Sequence, residues 1–389
     1  MEKKMLLVLG ILGVFFMFGL AYAADPIKIG VTYDQTGPCA HASIHAMNGL
    51  LIAVDEINAR GGINGRKVEL ISIDGQCSVE KSLGNVKRFI QKDKVDAIIG
   101  PMYTGPSMAC MTVVNKENII LITGSGGNPI NEMLAEKPEE KQFLFSVSMG
   151  TVFQHEHNMY WLKKRGITKV AMINPLNKLG DGSNIWYKHF APKFGIQILT
   201  SENYDPASMD LTPQLIKLRA TNPEAIITFA SGADGAIMIK NFHQLGMNIP
   251  LITSDANVTA SFIESLEGKT DQVFAPGPIS TSPVETLAAS DPRRQRIEKF
   301  MKDYEKKFGK KSQSLNWEGV GYDSMMVIQE AIKNVGTTDQ IKIRDHIEKI
   351  KNFPGINAAY TFSATNHRGY SVEQIHMFKI KGNIWHLAE

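Results

Sequence analysis

The sequence predicts an α/β protein of two lobes, each a mostly parallel sheet flanked by helices. Three observations carry that expectation. Short β-branched runs alternate with longer amphipathic stretches, which implies parallel strands covered by helices. The alternation restarts after Phe145. A chain of 389 residues also exceeds one ordinary core and fits roughly two domains.

In the first half, residues 27–32, 67–73, 95–100 and 119–123 read as strands with helical patterns between them. Residues 44–59 carry Met47, Leu50, Leu51, Val54 and Ile57 at helical spacing, and Arg60-Gly61-Gly62 supplies a stop. In the second half, residues 170–174, 196–200, 225–229 and 251–253 read as strands, with helices at 154–165 and 212–220. Helical regions at 293–308, 319–334 and 340–351 follow, then strand-like runs at 359–362 and 374–380.

Ahead of these elements, Lys3 and Lys4 precede an apolar run over residues 5–20 and then Ala21-Tyr22-Ala23. A basic start, a greasy core and a small-x-small end describe a secretory signal peptide, residues 1–23, cut after Ala23. The run falls short of the roughly 20 residues a membrane span needs. The net charge of +3 is spread among interleaved acids and bases, which argues against a nucleic-acid partner. An exported chain with Cys39, Cys77 and Cys110 permits three single disulfides, each leaving one thiol over. Cys39 with Cys77 is favoured because both follow neighbouring strands.

Gly30-Val31-Thr32, Thr36-Gly37-Pro38, Asn48-Gly49 and the run from Asp55 through Gly65 stand in an ordered set that continues through Ile99-Gly100, Asn128-Pro129 and residues 355–369. In this set the chain resembles the periplasmic leucine/isoleucine/valine-binding proteins, the capture subunits of ABC importers for hydrophobic amino acids. The resemblance implies the type I periplasmic binding protein fold, in which two lobes close on a ligand like a flytrap around three hinge crossovers. Mapped here, lobe one spans 24–147 and 279–353, and lobe two spans 148–278 and 354–389. The crossovers then fall near Ser146, Pro278 and Phe353. It further implies a periplasmic monomer that delivers a small molecule, an amino acid by expectation, to an inner-membrane ABC permease.

Ligands of open α/β sheets bind beyond the carboxyl ends of the strands. In lobe one those positions hold Tyr103, Thr104, Ser125, Gly126 and Gly127, followed by helix starts whose free N–H groups suit a carboxylate. Ser125-Gly126-Gly127 suits a plain tight turn equally well; the resemblance assigns it, with Thr104, to the ligand's carboxylate and part of its ammonium. From lobe two, Asp255 falls where the family places a glutamate against the ammonium, although as a residue alone it also suits a helix N-cap. Where the resembled proteins wall the pocket with tyrosines, this chain has Ala42, Leu179 and Ser231. His41, Trp317 and Tyr33 are the candidates to fill that space, which tilts the expected ligand toward larger or aromatic amino acids. A binder of a non-amino-acid molecule, an aromatic carboxylate or amide, taken up or sensed, is the alternative.

Cys39, His41 and His45 supply at most three ligands where zinc takes about four, so no metal is expected. His155 and His157, on opposite sides of a helix, read as surface or hinge residues. The sequence holds no Gly-x-Ser-x-Gly elbow, no Walker loop and no dinucleotide fingerprint after the first strand. A non-enzymatic binder without a cofactor is therefore expected.

Overall fold

The computed structural model describes residues 25–37, 40–127, 142–312 and 315–388. The expected signal peptide and Cys39 lie outside the described residues. Five strands, β1 (Ile27–Val31), β2 (Val68–Ser72), β3 (Ala97–Ile99), β4 (Leu121–Thr123) and β5 (Leu144–Ser146), form a sheet of order β2-β1-β3-β4-β5. Every pairing in it is parallel. Helices α1 (Ala40–Ala59), α2 (Val79–Arg88) and α3 (Thr104–Glu117) connect them. The three central strands are buried except at Lys28 of β1, because helices cover both faces and leave no polar side to the sheet.

The chain then enters lobe two through α4 (Thr151–Lys164). There β6 (Lys169–Pro175), α5 (Lys178–Phe190), β7 (Gln197–Tyr204), α6 (Thr212–Ala220), β8 (Ala225–Ile227), α7 (Ala233–Gln244), β9 (Leu251–Ile252), α8 (Ala260–Ser265) and β10 (Val273–Pro278) follow in alternation. Three further helices, α9 (Pro292–Phe308), α10 (Leu315–Val335) and α11 (Gln340–Ile347), return to lobe one. The short pair β11 (Phe353–Pro354) and β12 (Ala359–Tyr360) leads to β13 (Ile375–Lys381) and β14 (Ile384–Leu387). The second sheet runs β14-β13-β10-β9-β8-β6-β7, parallel from β7 to β10 and antiparallel at its last two strands.

β10 escaped the sequence reading because Pro276 and Pro278 argue against a central strand. Its parallel partner β9 covers only Val273 and Phe274, so the prolines sit beyond that ladder. The third crossover also needs correction. Ile356, Ala358, Tyr360, Phe362 and Tyr370 join the lobe-one core, so residues 354–370, expected in lobe two, belong to lobe one. The chain crosses for the last time over residues 371–374, immediately before β13.

Helices α1 and α10 meet through glycines. A Cβ on Gly49 would overlap the Glu318 carbonyl, and one on Gly321 would overlap that of Ala46. Both partners are backbone, so neither side yields cheaply. Gly49→Ala is expected to lower unfolding free energy by about 1–3 kcal/mol, the usual cost of overpacking, measured by urea denaturation. An unchanged midpoint would show that the helices separate freely.

Candidate functional site

The lobe-one half of the site is a hydroxyl-rich corner at the carboxyl ends of β3 and β4. Thr104 opens α3, and its Oγ1 lies 2.9 Å from Ser125 Oγ. The Gly127 N–H donates to Ser125 Oγ at 3.1 Å, and the Ser125 N–H to Thr123 Oγ1 at 3.0 Å. Thr123 in turn donates to the Pro101 carbonyl and faces Ser107 Oγ at 2.7 Å. Gly127 has no room for a side chain, since a Cβ there would overlap the Thr104 hydroxyl. The 125–127 turn is therefore fixed against the start of α3. Among the described residues the Gly126 N–H has no acceptor, which leaves it free for a ligand.

Lobe two reaches this corner through the first turn of α4. The Thr151 N–H donates to the Gly126 carbonyl at 2.9 Å. One helical turn on, the Gln154 side chain hydrogen-bonds the carboxyl of Asp255. Asp255 is 8% exposed and has no lysine, arginine or histidine in ion-pair contact among the described residues; burial pushes its pKa up to about 7. The N-cap role is filled by others: Thr259 Oγ1 accepts from the Phe262 N–H of α8, and Ser254 Oγ from the Ala256 N–H. The Asp255 carboxyl is thus not the cap of α8; besides Gln154 it accepts from the N–H groups of Ala256 and Asp255 itself.

Sequence reasoning missed Arg368, which the connector after β12 brings to the same corner. Its guanidinium donates to the Ser125 carbonyl at 2.9 Å, to the Ser148 carbonyl at 3.3 Å and to Ser146 Oγ at 3.4 Å; it also bonds the Gly127 carbonyl. A lone arginine in a polar stretch gave no signal. The structure also corrects the two histidines of α4. His155 and His157 are buried, because α4 is covered on two sides, and burial lowers both pKa values to about 4. His155 Nε2 lies 2.8 Å from Ser183 Oγ, and its ring stacks on Phe229.

The other expected residues are placed as follows. Tyr103 is half-buried at the N-cap of α3, its phenol raised to about 12 by burial and the nearby Asp34. Trp317 is half-buried on α10, its indole N–H without an acceptor among the described residues. His41 is exposed at the start of α1, while Ala42 packs in the lobe-one core. Leu179 on α5 and Ser231 after β8 are exposed on lobe two. Tyr33 is a correction: it is fully buried in the lobe-one core and offers the cleft no surface. It continues the inward parity of Ile29 and Val31, so its ring turns into the core.

Cys77 is disulfide-bonded and Cys110 is a free, buried thiol; Cys39, the expected partner of Cys77, lies outside the described residues. Among the described residues no three histidine, cysteine or acidic side chains converge as a metal site, and no helix is long and apolar enough to cross a membrane. A separate cavity of about 760 Å³ lies on the far flank of α4, among His157, Tyr160, Trp161 and His376. It contains none of the strand-end residues. A site divided between two lobes becomes enclosed only on closure, so this cavity is not its counterpart.

Two parallel-stranded lobes, three crossings and polar strand ends meeting at a hinge describe a binding cleft. The periplasmic binding protein family matches residues 26–383. The chain belongs to this family. Among its relatives, an amino acid binding protein of Pseudomonas aeruginosa is 24% identical over 64% of this chain and 66% of its own length, just under two thirds. A Leu/Ile/Val-binding protein homolog of Brucella abortus is 22% identical over 85% of this chain and 83% of its own. An extracellular ligand-binding receptor of Rhodopseudomonas palustris superposes with a TM-score of 0.82 at 23% identity, covering 93% of this chain and 99% of that one. These likenesses fix the periplasmic binding protein fold.

The raised carboxyl of Asp255 has a consequence for this binding protein in its ligand-free form. A carboxyl whose folded pKa exceeds its unfolded value favours the folded state only while protonated, so stability falls as pH rises from about 4 toward 7. Asp255→Asn is expected to be more stable than the parent at pH 8, by up to ~4 kcal/mol, and indistinguishable from it near pH 4. Chemical denaturation at both pH values measures the difference; equal stability at pH 8 would place the carboxylate in water.

Proposed function

We propose that this protein is a non-enzymatic, extracytoplasmic capture subunit of an ABC importer that takes up an α-amino acid with a branched-chain, other hydrophobic or aromatic side chain. The observation that supports it best is Asp255, a buried carboxyl without a cation partner among the described residues, bonded by Gln154 one helical turn after Thr151, whose N–H meets the Gly126 carbonyl beside the corner of Thr104 and Ser125. A zwitterion completes that arrangement. Its carboxylate accepts from Thr104, Ser125 and the Gly126 N–H on lobe one, and its ammonium meets Asp255 as lobe two closes. Closure removes water, which strengthens each of these contacts. His41, Ala42, Trp317, Leu179 and Ser231 are proposed to wall the side-chain end, with Tyr103 beside the carboxylate.

In the same reading the chain is exported by a signal peptide ending at Ala23, works as a monomer in the periplasm and presents its closed form to an inner-membrane permease. The Leu/Ile/Val-binding relatives support the ligand class, and the lobe arrangement supports capture without turnover.

A calorimetric panel of amino acids, their deaminated acids and their amides tests the proposal. An amino acid is expected to bind and to be recovered unchanged. Asp255→Asn should weaken it by several kcal/mol while barely affecting the deaminated acid. Because the ammonium selects the ionised carboxylate, affinity should also rise between pH 5.5 and 8, with protons released at the lower pH. Binding of the deaminated acid as tightly as the amino acid, in parent and variant alike, would overturn the ammonium assignment.

A further inference from the structure

Arg368 is 2% exposed, yet every group it bonds is a neutral oxygen: the carbonyls of Ser125, Gly127 and Ser148 and the hydroxyl of Ser146. Among the described residues no carboxylate pairs with it, and burial alone accounts for the lowering of its pKa, to about 10. A guanidinium removed from water without an anion is costly. Fixing carbonyls requires only donors, which a neutral side chain supplies without that cost. The retained charge therefore points to an anion that arrives from outside.

We propose that Arg368 is the positive pole of the ligand site, acting through the 125–127 backbone to select molecules that carry a carboxylate. The inference rests on the interlobe site proposed above and adds to it a residue that determines specificity without touching the ligand. The Ser125 carbonyl and the Gly126 N–H belong to one planar trans peptide, so they point in opposite directions. Arg368 occupies the carbonyl side at 2.9 Å. The unfilled Gly126 N–H therefore faces away from the guanidinium, toward the side where a ligand is received.

A carboxylate oxygen on that N–H would stand roughly 8 Å from the guanidinium nitrogen, allowing one hydrogen bond, the width of the peptide and a second hydrogen bond. At an effective dielectric of about 20, opposite unit charges at that separation change affinity about thirtyfold. Arg368 also polarises the very peptide that donates to the ligand, and its bonds to Ser146 and Ser148 tie that charge to the first crossover. With Asp255 on the other lobe, the cleft holds one buried basic group and one buried acidic group, neither paired with an opposite charge among the described residues before any ligand enters.

The test compares L-leucine with L-leucinamide, and L-phenylalanine with L-phenylalaninamide, by calorimetry on the parent, Arg368→Gln and Arg368→Lys. Each amide keeps the ammonium that Asp255 engages and loses only the carboxylate charge. In R368Q the acid is expected to weaken about thirtyfold and the amide less than about threefold, while R368K keeps most of the acid-over-amide preference. Equal weakening of acid and amide in R368Q would reduce Arg368 to a latch and overturn the inference. If R368Q does not fold, the parent decides: an acid-to-amide ratio below about tenfold overturns the inference, and a larger one supports it. Failure of every amino acid in the wider panel to bind would refute the proposed function itself. Amino-acid binding with an unaltered acid-to-amide ratio in R368Q would refute the role of Arg368 alone.

Discussion

Desolvated charge at the seam between the lobes is the constraint around which the cleft is arranged. Taking a carboxylate out of water costs several kcal/mol unless a cation or a set of donors replaces the solvent. At Asp255 the fold supplies the Gln154 side chain and the N–H groups of Ala256 and Asp255 itself but no cation; burial outweighs these donors, and the carboxyl holds its proton up to about pH 7. Neighbouring features are consistent with leaving that carboxylate uncommitted. Thr259 and Ser254 fill the caps it would otherwise serve, and α4 brings Gln154 to it without bringing a lysine or arginine side chain into ion-pair contact. The facing corner is built in the opposite sense, with hydroxyls, a free N–H and a glycine at the one position where a side chain would strike Thr104.

The connector after α11 is anchored to lobe one by a buried carboxyl. Asp323 on α10 accepts from the Ile356 and Asn357 N–H groups and from the Tyr360 hydroxyl, at 2.7, 3.0 and 2.8 Å. That hydroxyl also lies 3.0 Å from the Val147 carbonyl, where the first crossover begins. The β11–β12 connector is thereby locked to lobe one. The links between the two sheets are short, around 147–150, 278–279 and 371–374. Gly126 and Thr151 meet beside the first of these links, at 2.9 Å.

Much of the fold was legible because buried parallel strands advertise themselves. Ala97 to Ile99 and Ala225 to Ile227 are apolar throughout, and Ile27 to Val31 is interrupted only by Lys28, a pattern imposed by helices on both faces. What escaped detection depended on tertiary context. The run at 359–362 was readable as strand-like, but its lobe was decided by Tyr360 and Phe362 packing among Phe145 and Tyr370. Thr104, Ser125 and Asp255 were legible as residues that follow strand ends. Arg368 was not, since Asn366-His367-Arg368-Gly369 reads as a solvated turn until His367 stacks on Phe145 and carries its neighbour inward. Tyr33 lies just past β1 and continues the inward parity of Ile29 and Val31, so its ring packs in the lobe-one core.

In the proposed site, dividing the charged groups between the lobes has a consequence for selectivity. A ligand with only a carboxylate satisfies the lobe-one corner and leaves Asp255 protonated, so it gains little from closure. A ligand with only an ammonium satisfies Asp255 and leaves the Gly126 N–H and the Arg368 charge unanswered. The closed state is favoured only in proportion to a ligand's preference for it over the open state, so the zwitterion alone draws on both halves. In the proposed site, overall affinity then depends on how well the side chain fills the space assigned to Trp317 and His41. Admission depends on charge, because leaving a buried pole unpaired penalises the wrong ligand more heavily than an imperfect apolar fit does.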